Sequence, residues 1–251
     1  MKTMILSLVL VITMVAAVPQ QTLTPKEIIK KAEAKTRGIN SSYSEMTITT
    51  VRKKWSREMS MKSWSMGDDF SLMVITKPTK EKGAATLKRH KEVWSWMPSI
   101  ERIIKLPPSM MGQSWMGTDL TNDDLVKESS TITDYTHKLL KDTTIQGKLC
   151  YHIELIPKED AAVVWGRITS CIDKTDFIQL RSEMYDEDGY LINVMSSSDI
   201  KIMDGVKMAT KMEFVPVEKE GQKTVMQFDS LKFDIDVKES FFTTQNMKRI
   251  R

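Results

Sequence analysis

The chain has 251 residues, with 37 Lys+Arg against 33 Asp+Glu, a net charge of +4 and 41% hydrophobic residues. That apolar fraction excludes a disordered chain, and charge spread along the whole sequence leaves no footprint for nucleic acid. Three His and two Cys exclude zinc ribbons, multi-Cys scaffolds and most metal-cluster enzymes, so neither metal nor cofactor is expected. The 19 Met and 6 Trp direct attention to soft apolar surface rather than to titrating groups.

Residues 1–17 read as a cleaved export signal. Lys2 is a short positive start, Met4 to Val15 an apolar run, and Val15-Ala16-Ala17 a set of small residues at the cleavage site. No Cys lies there to be acylated, so an exported protein without a lipid anchor is expected. Residues 18–251 contain no Pro/Gly/Ser-rich linker, low-complexity tract or fixed-period repeat, which predicts one domain.

The first element is a helix. Thr24-Pro25-Lys26-Glu27 combines an N-cap, Pro at the first helical position and the Glu of a capping box; Ile28, Ile29 and Ala32 form a narrow apolar stripe ended by Gly38. Short strands rich in Thr, Val, Ile, Trp and Met are predicted next, over 43–51, 55–65, 70–76, 84–88, 93–97 and 102–106. Residues 107–130 break the rhythm with Pro107-Pro108, Gly112 and Gly117, and read as an ordered loop with one short helix near Thr121–Asp124. A meander follows, over 132–142, 149–156, 164–172, 177–185, 190–203, 206–215 and 223–237. Val206, Met208, Met212 and Phe214 alternate with Lys207, Lys211 and Glu213, giving a strand with one dry face. In the last strand Met226 and Phe228 share one parity and Leu231, Phe233 and Ile235 the other, which predicts a bulge near Asp229-Ser230.

One strand register is predicted from side-chain pairing. Placing Cys150 opposite Cys171 also sets Ile153 opposite Ile168 and Glu154 opposite Arg167, and in an exported protein makes Cys150 and Cys171 a candidate disulfide. Catalytic patterns are missing. His90, His137 and His152 have no metal-ligand spacing, and Gly112-Gln113-Ser114-Trp115-Met116-Gly117 is one residue too long for a nucleophile elbow. No enzymatic activity is expected. What remains is apolar surface: five Trp and nine Met fall between residues 46 and 116, and the strands at 55–66 and 93–97 carry large apolar groups on both faces. A sheet covered on one face and lining a cavity on the other would need this, and Met suits a wall that accommodates variable shapes. A Met-rich solid core and a thioether site for Cu(I) are the alternatives.

Trp55 to Asp124 resembles the LolA-like outer-membrane lipoprotein-sorting family, in its longer branch. The resemblance rests on Pro78-x₄-Gly83, Trp94-x₃-Pro98-x₃-Arg102 and Met116-Gly117-Thr118-Asp119-Leu120 followed by Asp124. Tyr151 to Pro157, Ile172-Asp173-Lys174 and Tyr185 to Gly189 extend it. Thr118 stands where that family often has Ser. The resemblance implies a mainly β fold with a few helices: a strongly curved antiparallel sheet forming an unclosed half-barrel with helices at its mouth, in the periplasm of a diderm bacterium. Such a fold implies a carrier for an acylated lipoprotein or another lipid, working between an inner-membrane exporter and an outer-membrane acceptor. The alternative is an envelope sensor that detects lipid in the same half-barrel and signals to a protein partner. The expected wall or lid residues are Trp64, Phe70, Trp94, Trp96, Met97, Met110, Met111, Trp115 and Met116, with 107–130 as the lid.

Overall fold

The computed structural model describes residues 23–38, 40–126 and 130–250, and the expected export signal at 1–17 lies outside them. Helix α1 (Pro25–Arg37) starts as its capping box dictates: Glu27 N–H donates to Thr24 Oγ1 (3.3 Å) and Thr24 N–H to Glu27 Oε2 (2.7 Å). It ends at Gly38, whose φ of 73° favours glycine. Any side chain there would also press on Phe233, since a Cβ would lie 2.7 Å from that ring.

The strands are β1 (Ser41–Val51), β2 (Ser56–Met66), β3 (Phe70–Lys77), β4 (Ala85–Arg89), β5 (Glu92–Met97), β6 (Arg102–Leu106) and β7 (Tyr135–Leu139). After them come β8 (Thr143–Ile145), β9 (Lys148–Pro157), β10 (Arg167–Asp173), β11 (Gln179–Tyr185), β12 (Leu191–Met203), β13 (Val206–Pro216) and β14 (Lys223–Phe233). All belong to one antiparallel sheet in the order β6-β5-β4-β3-β2-β1-β14-β13-β12-β11-β10-β9-β7, with β8 beside β9. The ends of that order, β6 and β7, do not pair with each other, so the curved sheet is unclosed. The bulge predicted near Asp229 is present: Glu45 faces Ser230 while Met46 faces Phe228, leaving Asp229 as the extra residue.

Three expectations change. The run at 132–142 contracts to β7, and the short β8 follows outside it. The last strand stops at Phe233, where Asp234 turns to a positive φ of 49°. Helix α2 (Asn122–Val126) lies between β6 and β7, and beyond β14 come a 3-10 turn (Glu239–Phe241) and helix α3 (Thr244–Arg249), capped by Thr243 Oγ1, which accepts from Asn246 N–H at 3.1 Å. Phe242 and Met247, both fully buried, pin this tail to the sheet.

The register between β9 and β10 also differs. Cys150 faces Asp173 and Cys171 faces His152, a slip of two residues from the expected pairing. A slip of two keeps every side chain on its face, so the alternation of apolar and polar residues is equally satisfied by both registers. Polar contacts distinguish them: Arg167 reaches Glu154 diagonally (3.7 Å), and Asp173 holds Lys148 (3.0 Å). The cysteines are free and buried, packed with Ile178, Leu180 and Ala209. Burial raises the Cys150 thiol and pushes that of Cys171 to about 11, with Cys150 adding to the second effect.

Candidate functional site

The concave face is graded along the strands. Inward residues of β1 run Ser42, Ser44, Met46, Ile48, Thr50, and their neighbours on β2 run Ser65, Ser63, Met61, Met59, Arg57. Hydroxyls therefore occupy the end nearest α1, and thioethers and aliphatics the middle. Helix α1 lies across this face, with Ile28, Ile29 and Ala32 buried against β7, β9 and β10.

Between helix and sheet remains a hollow of about 310 Å³, at the lower end of the roughly 300–1,000 Å³ typical of small-molecule sites. Seven methionines border it (Met46, Met73, Met184, Met195, Met208, Met212 and Met226), with Phe214, Phe228, Leu155, Trp165, Ile168 and the α1 residues Ile29 and Ala32. Lys35 and Thr36 of α1 and Gly67 and Asp68 of the β2–β3 turn border it at the serine end.

Opposite that end, the Trp115–Leu120 segment is fastened to the sheet. Asp119 Oδ2 accepts from Arg52 Nη1 and from the Thr224 hydroxyl, both at 2.8 Å, and Asn193 Nδ2 donates to the Asp119 carbonyl at 2.8 Å. Arg52 also donates to the Gly117 carbonyl (2.8 Å), and Arg57 to that of Met116. Met116 and Gly117 both turn through positive φ, 48° and 74°. The loop thereby folds back so that Trp115 and Leu120 pack into the cluster of Ile48, Met59 and Met208.

The gap between β6 and β7 is filled by the same stretch of chain. Met111 and Val126 pack with Val93 and Val164. Thr121 Oγ1 accepts from Asp124 N–H (3.0 Å) at the start of α2, and Thr121 N–H donates to Asp124 Oδ2 (2.9 Å). Asp124 Oδ1 accepts from Trp165 Nε1 at 2.9 Å, joining α2 to the wall of the hollow. Burial raises the Asp124 carboxyl above its ordinary value against these hydrogen bonds. Tyr135, whose hydroxyl donates to the Trp165 carbonyl (3.1 Å), is raised by burial first and then by Asp123 and Asp124. Near the mouth, the Thr131 hydroxyl donates to Glu33 of α1, and His137 Nε2 lies 2.7 Å from the Thr131 carbonyl.

The nine residues expected at the wall or lid occupy several places. Phe70 borders the hollow, although its ring also meets Phe242 at 5.6 Å. Trp115 and Met116 belong to the fastened segment, and Met111 to the filler of the gap. Met110 is partly buried in a 3-10 turn (Pro108–Met110), and Met97 is 41% exposed. Trp64, Trp94 and Trp96 lie in a separate cluster with Leu72, Leu87, Phe242 and Met247, on the sheet face opposite the hollow. Both faces of β2 and β5 carry large apolar groups among polar ones, but the tryptophans take the side covered by the C-terminal tail. Five lining methionines come instead from β11–β14. The alternation of Met208, Met212 and Phe214, and of Met226 and Phe228, carries that signal in the sequence. Among the described residues, no group of three or more His, Cys, Asp or Glu is arranged to hold a metal.

A curved, unclosed antiparallel sheet with helices on its concave face is the LolA-like fold. A domain named for outer membrane lipoprotein sorting, from Vibrio parahaemolyticus, matches with a TM-score of 0.79 and 22% identity, covering 90% of this chain and 98% of that one. A DUF1329 family protein from Desulfovibrio piger gives 0.80 and 22%, covering 89% and 97%. A LolA superfamily protein from Nitrosomonas europaea gives 0.78 and 22%, covering 89% and 99%. No curated protein matches the sequence. The model of the DUF1329 family, described only as uncharacterized protein, matches residues 67–249, and the chain belongs to that family.

Proposed function

We propose that residues 18–251 form one non-enzymatic carrier unit that holds the acyl chain of a lipid or lipoprotein in the hollow. In this reading the chain is exported to the periplasm by the segment at 1–17 and moves cargo between a membrane donor and an acceptor. The observation that carries the proposal is the methionine-lined space of about 310 Å³ left between α1 and the sheet. Burial of an acyl chain contributes about 0.8 kcal/mol per CH₂, so binding there requires no catalytic group. Unbranched thioether side chains can adjust to chains of different length and kink. No helix among the described residues is long and apolar enough to cross a membrane.

The test is recovery of the native protein from periplasmic extract, followed by mass spectrometry of bound lipid and titration with a fluorescent fatty acid. Co-purifying lipid and micromolar probe binding are expected. Ala32→Phe, which adds bulk from the cavity-facing side of α1, is expected to weaken probe binding at least about tenfold, or 1.4 kcal/mol, with an unchanged circular dichroism spectrum. Trp96→Ala, on the opposite face, is expected to leave binding in place. Neither lipid nor probe binding in the wild type would overturn the carrier reading.

A further inference from the structure

Antiparallel pairing puts alternate connections at the same end of a sheet. From β1 to β6 the strands are consecutive neighbours, so the connections β1–β2, β3–β4 and β5–β6 all emerge at the end where Arg52 fastens Asp119. Strands about 4.8 Å apart set these three turns in a row roughly 20 Å long.

The first turn is closed by Arg52 N–H, which donates to the Trp55 carbonyl (2.9 Å). Its tip exposes Lys53, Lys54 and Trp55, the last with 51% of its surface in solvent. The second connection exposes Lys77, Lys80 and Lys82. The third, in which Glu101 N–H donates to the Pro98 carbonyl (3.3 Å), exposes Met97, Ile100 (54%) and Arg102. Those five lysines and Arg102 form no ion pair among the described residues. The row's own carboxylates, Glu58, Glu81 and Glu101, are half as many.

The other half of the same end has the reverse charge. Connections β9–β10, β11–β12 and β13–β14 carry seven carboxylates, among them Glu187, Asp188 and Glu220, against Lys158 and Lys219. Exposed apolar groups occur there too, at Tyr190 and Val217.

Single exposed apolar side chains are ordinary on soluble proteins. The β1–β6 turns differ because their apolar tips stand among unpaired cations. Tryptophan is favoured at the level of lipid headgroups, and lysines beside an anionic bilayer are attracted to it. An acidic protein would also attract the lysines. Tips standing roughly 10 Å apart, however, give no continuous, well-packed apolar centre of the kind on which stable protein interfaces rely.

We propose that this row of turns is a docking face for an anionic lipid bilayer, with Trp55 and Ile100 entering the headgroup layer and the lysines lying against lipid phosphates. The acidic half is held away from such a surface, so the molecule docks by its β1–β6 side. The proposal goes beyond the carrier reading and does not depend on what fills the hollow.

It is tested by co-sedimenting the full-length mature protein with vesicles of equimolar phosphatidylglycerol and phosphatidylcholine, and with vesicles of phosphatidylcholine alone. Wild type is expected to bind the anionic vesicles at least about tenfold more tightly, and to lose most of that binding between about 0.05 M and about 0.5 M NaCl. Lys53→Glu/Lys54→Glu is expected to lose at least about tenfold in affinity. Lys232→Glu/Lys238→Glu makes the same change of charge at exposed positions of the opposite end, and is expected to lose less than about twofold. Trp55→Ser/Ile100→Ser is expected to lose about fivefold; an unchanged affinity overturns the role of the apolar tips. Equal binding of wild type to both kinds of vesicle, or binding to neither, overturns the docking face without recourse to any variant. Equal losses in the two lysine variants overturn it as well, because total charge would then be the cause. Retention on immobilised polyglutamate, with no binding to anionic vesicles, assigns the face to an acidic protein instead. Fatty-acid probe binding in the hollow is read separately, so the carrier reading survives each of these failures.

Discussion

At the scale of single residues, two of the three carboxylates of the 107–126 segment, Asp119 and Asp124, are buried in different ways. Asp119 has a side chain only 2% exposed, and its charge is met by Arg52 at 2.8 Å. Removing one partner of a buried pair leaves the other uncompensated, which typically costs about 3–5 kcal/mol. Asp119→Ala should therefore lower the urea midpoint by the equivalent of about 3 kcal/mol; a loss under about 1 kcal/mol would mean that the clamp contributes little. Asp124 is raised above its ordinary value of 3.8, chiefly by burial. A raised carboxyl contributes stability that is fully present below the unfolded-state value and is lost as pH rises through the folded-state value. Asn cannot titrate, so the stability advantage of wild type over Asp124→Asn should shrink between about pH 4 and pH 8. Urea midpoints measured at both ends check the sign, and an advantage that grows with pH refutes it.

Among the elements, the strands were the most legible part of the sequence and their partners the least. Alternation and turn residues place nearly all of them within a few positions, and the parity change around Asp229 locates the bulge. The β9–β10 register fails for a definite reason: a two-residue slip preserves alternation, so the choice falls to polar contacts such as Lys148 with Asp173, which no periodicity encodes. Helix α3 was missed because six residues carry too little pattern. Its position matters nonetheless, since Phe242 and Met247 cover Leu72, Leu87 and Trp96. Phe242→Ala should cost about 3–5 kcal/mol, read from the urea midpoint; a change below about 1 kcal/mol would show that the tail is only loosely attached. The segments that carried the family resemblance are architectural: Pro78–Gly83 connects β3 to β4, Pro98–Arg102 turns β5 into β6, and Met116–Leu120 is the clamp.

For the whole molecule, the fold class and the presence of surplus apolar surface were readable, while the assignment of that surface to inside or outside was not. Trp64, Trp94 and Trp96 alternate with residues of the opposite face just as Met46 and Met73 do. Only the curvature of the sheet and docking of the tail decide which side becomes the cavity. The methionines of β11–β14, fewer and without the tryptophans that accompany the group at 46–116, are less conspicuous yet supply most of the thioether wall.

The division of the tryptophans between the two faces gives the molecule separate optical reporters. Trp64, Trp94 and Trp96 sit beneath or beside the C-terminal tail, whereas Trp165 borders the hollow and Trp115 lies in the fastened segment. Emission from the first group registers detachment of the tail, and emission from the second responds to what occupies the interior. Loading and unravelling thus have different spectral signatures within one unlabelled chain.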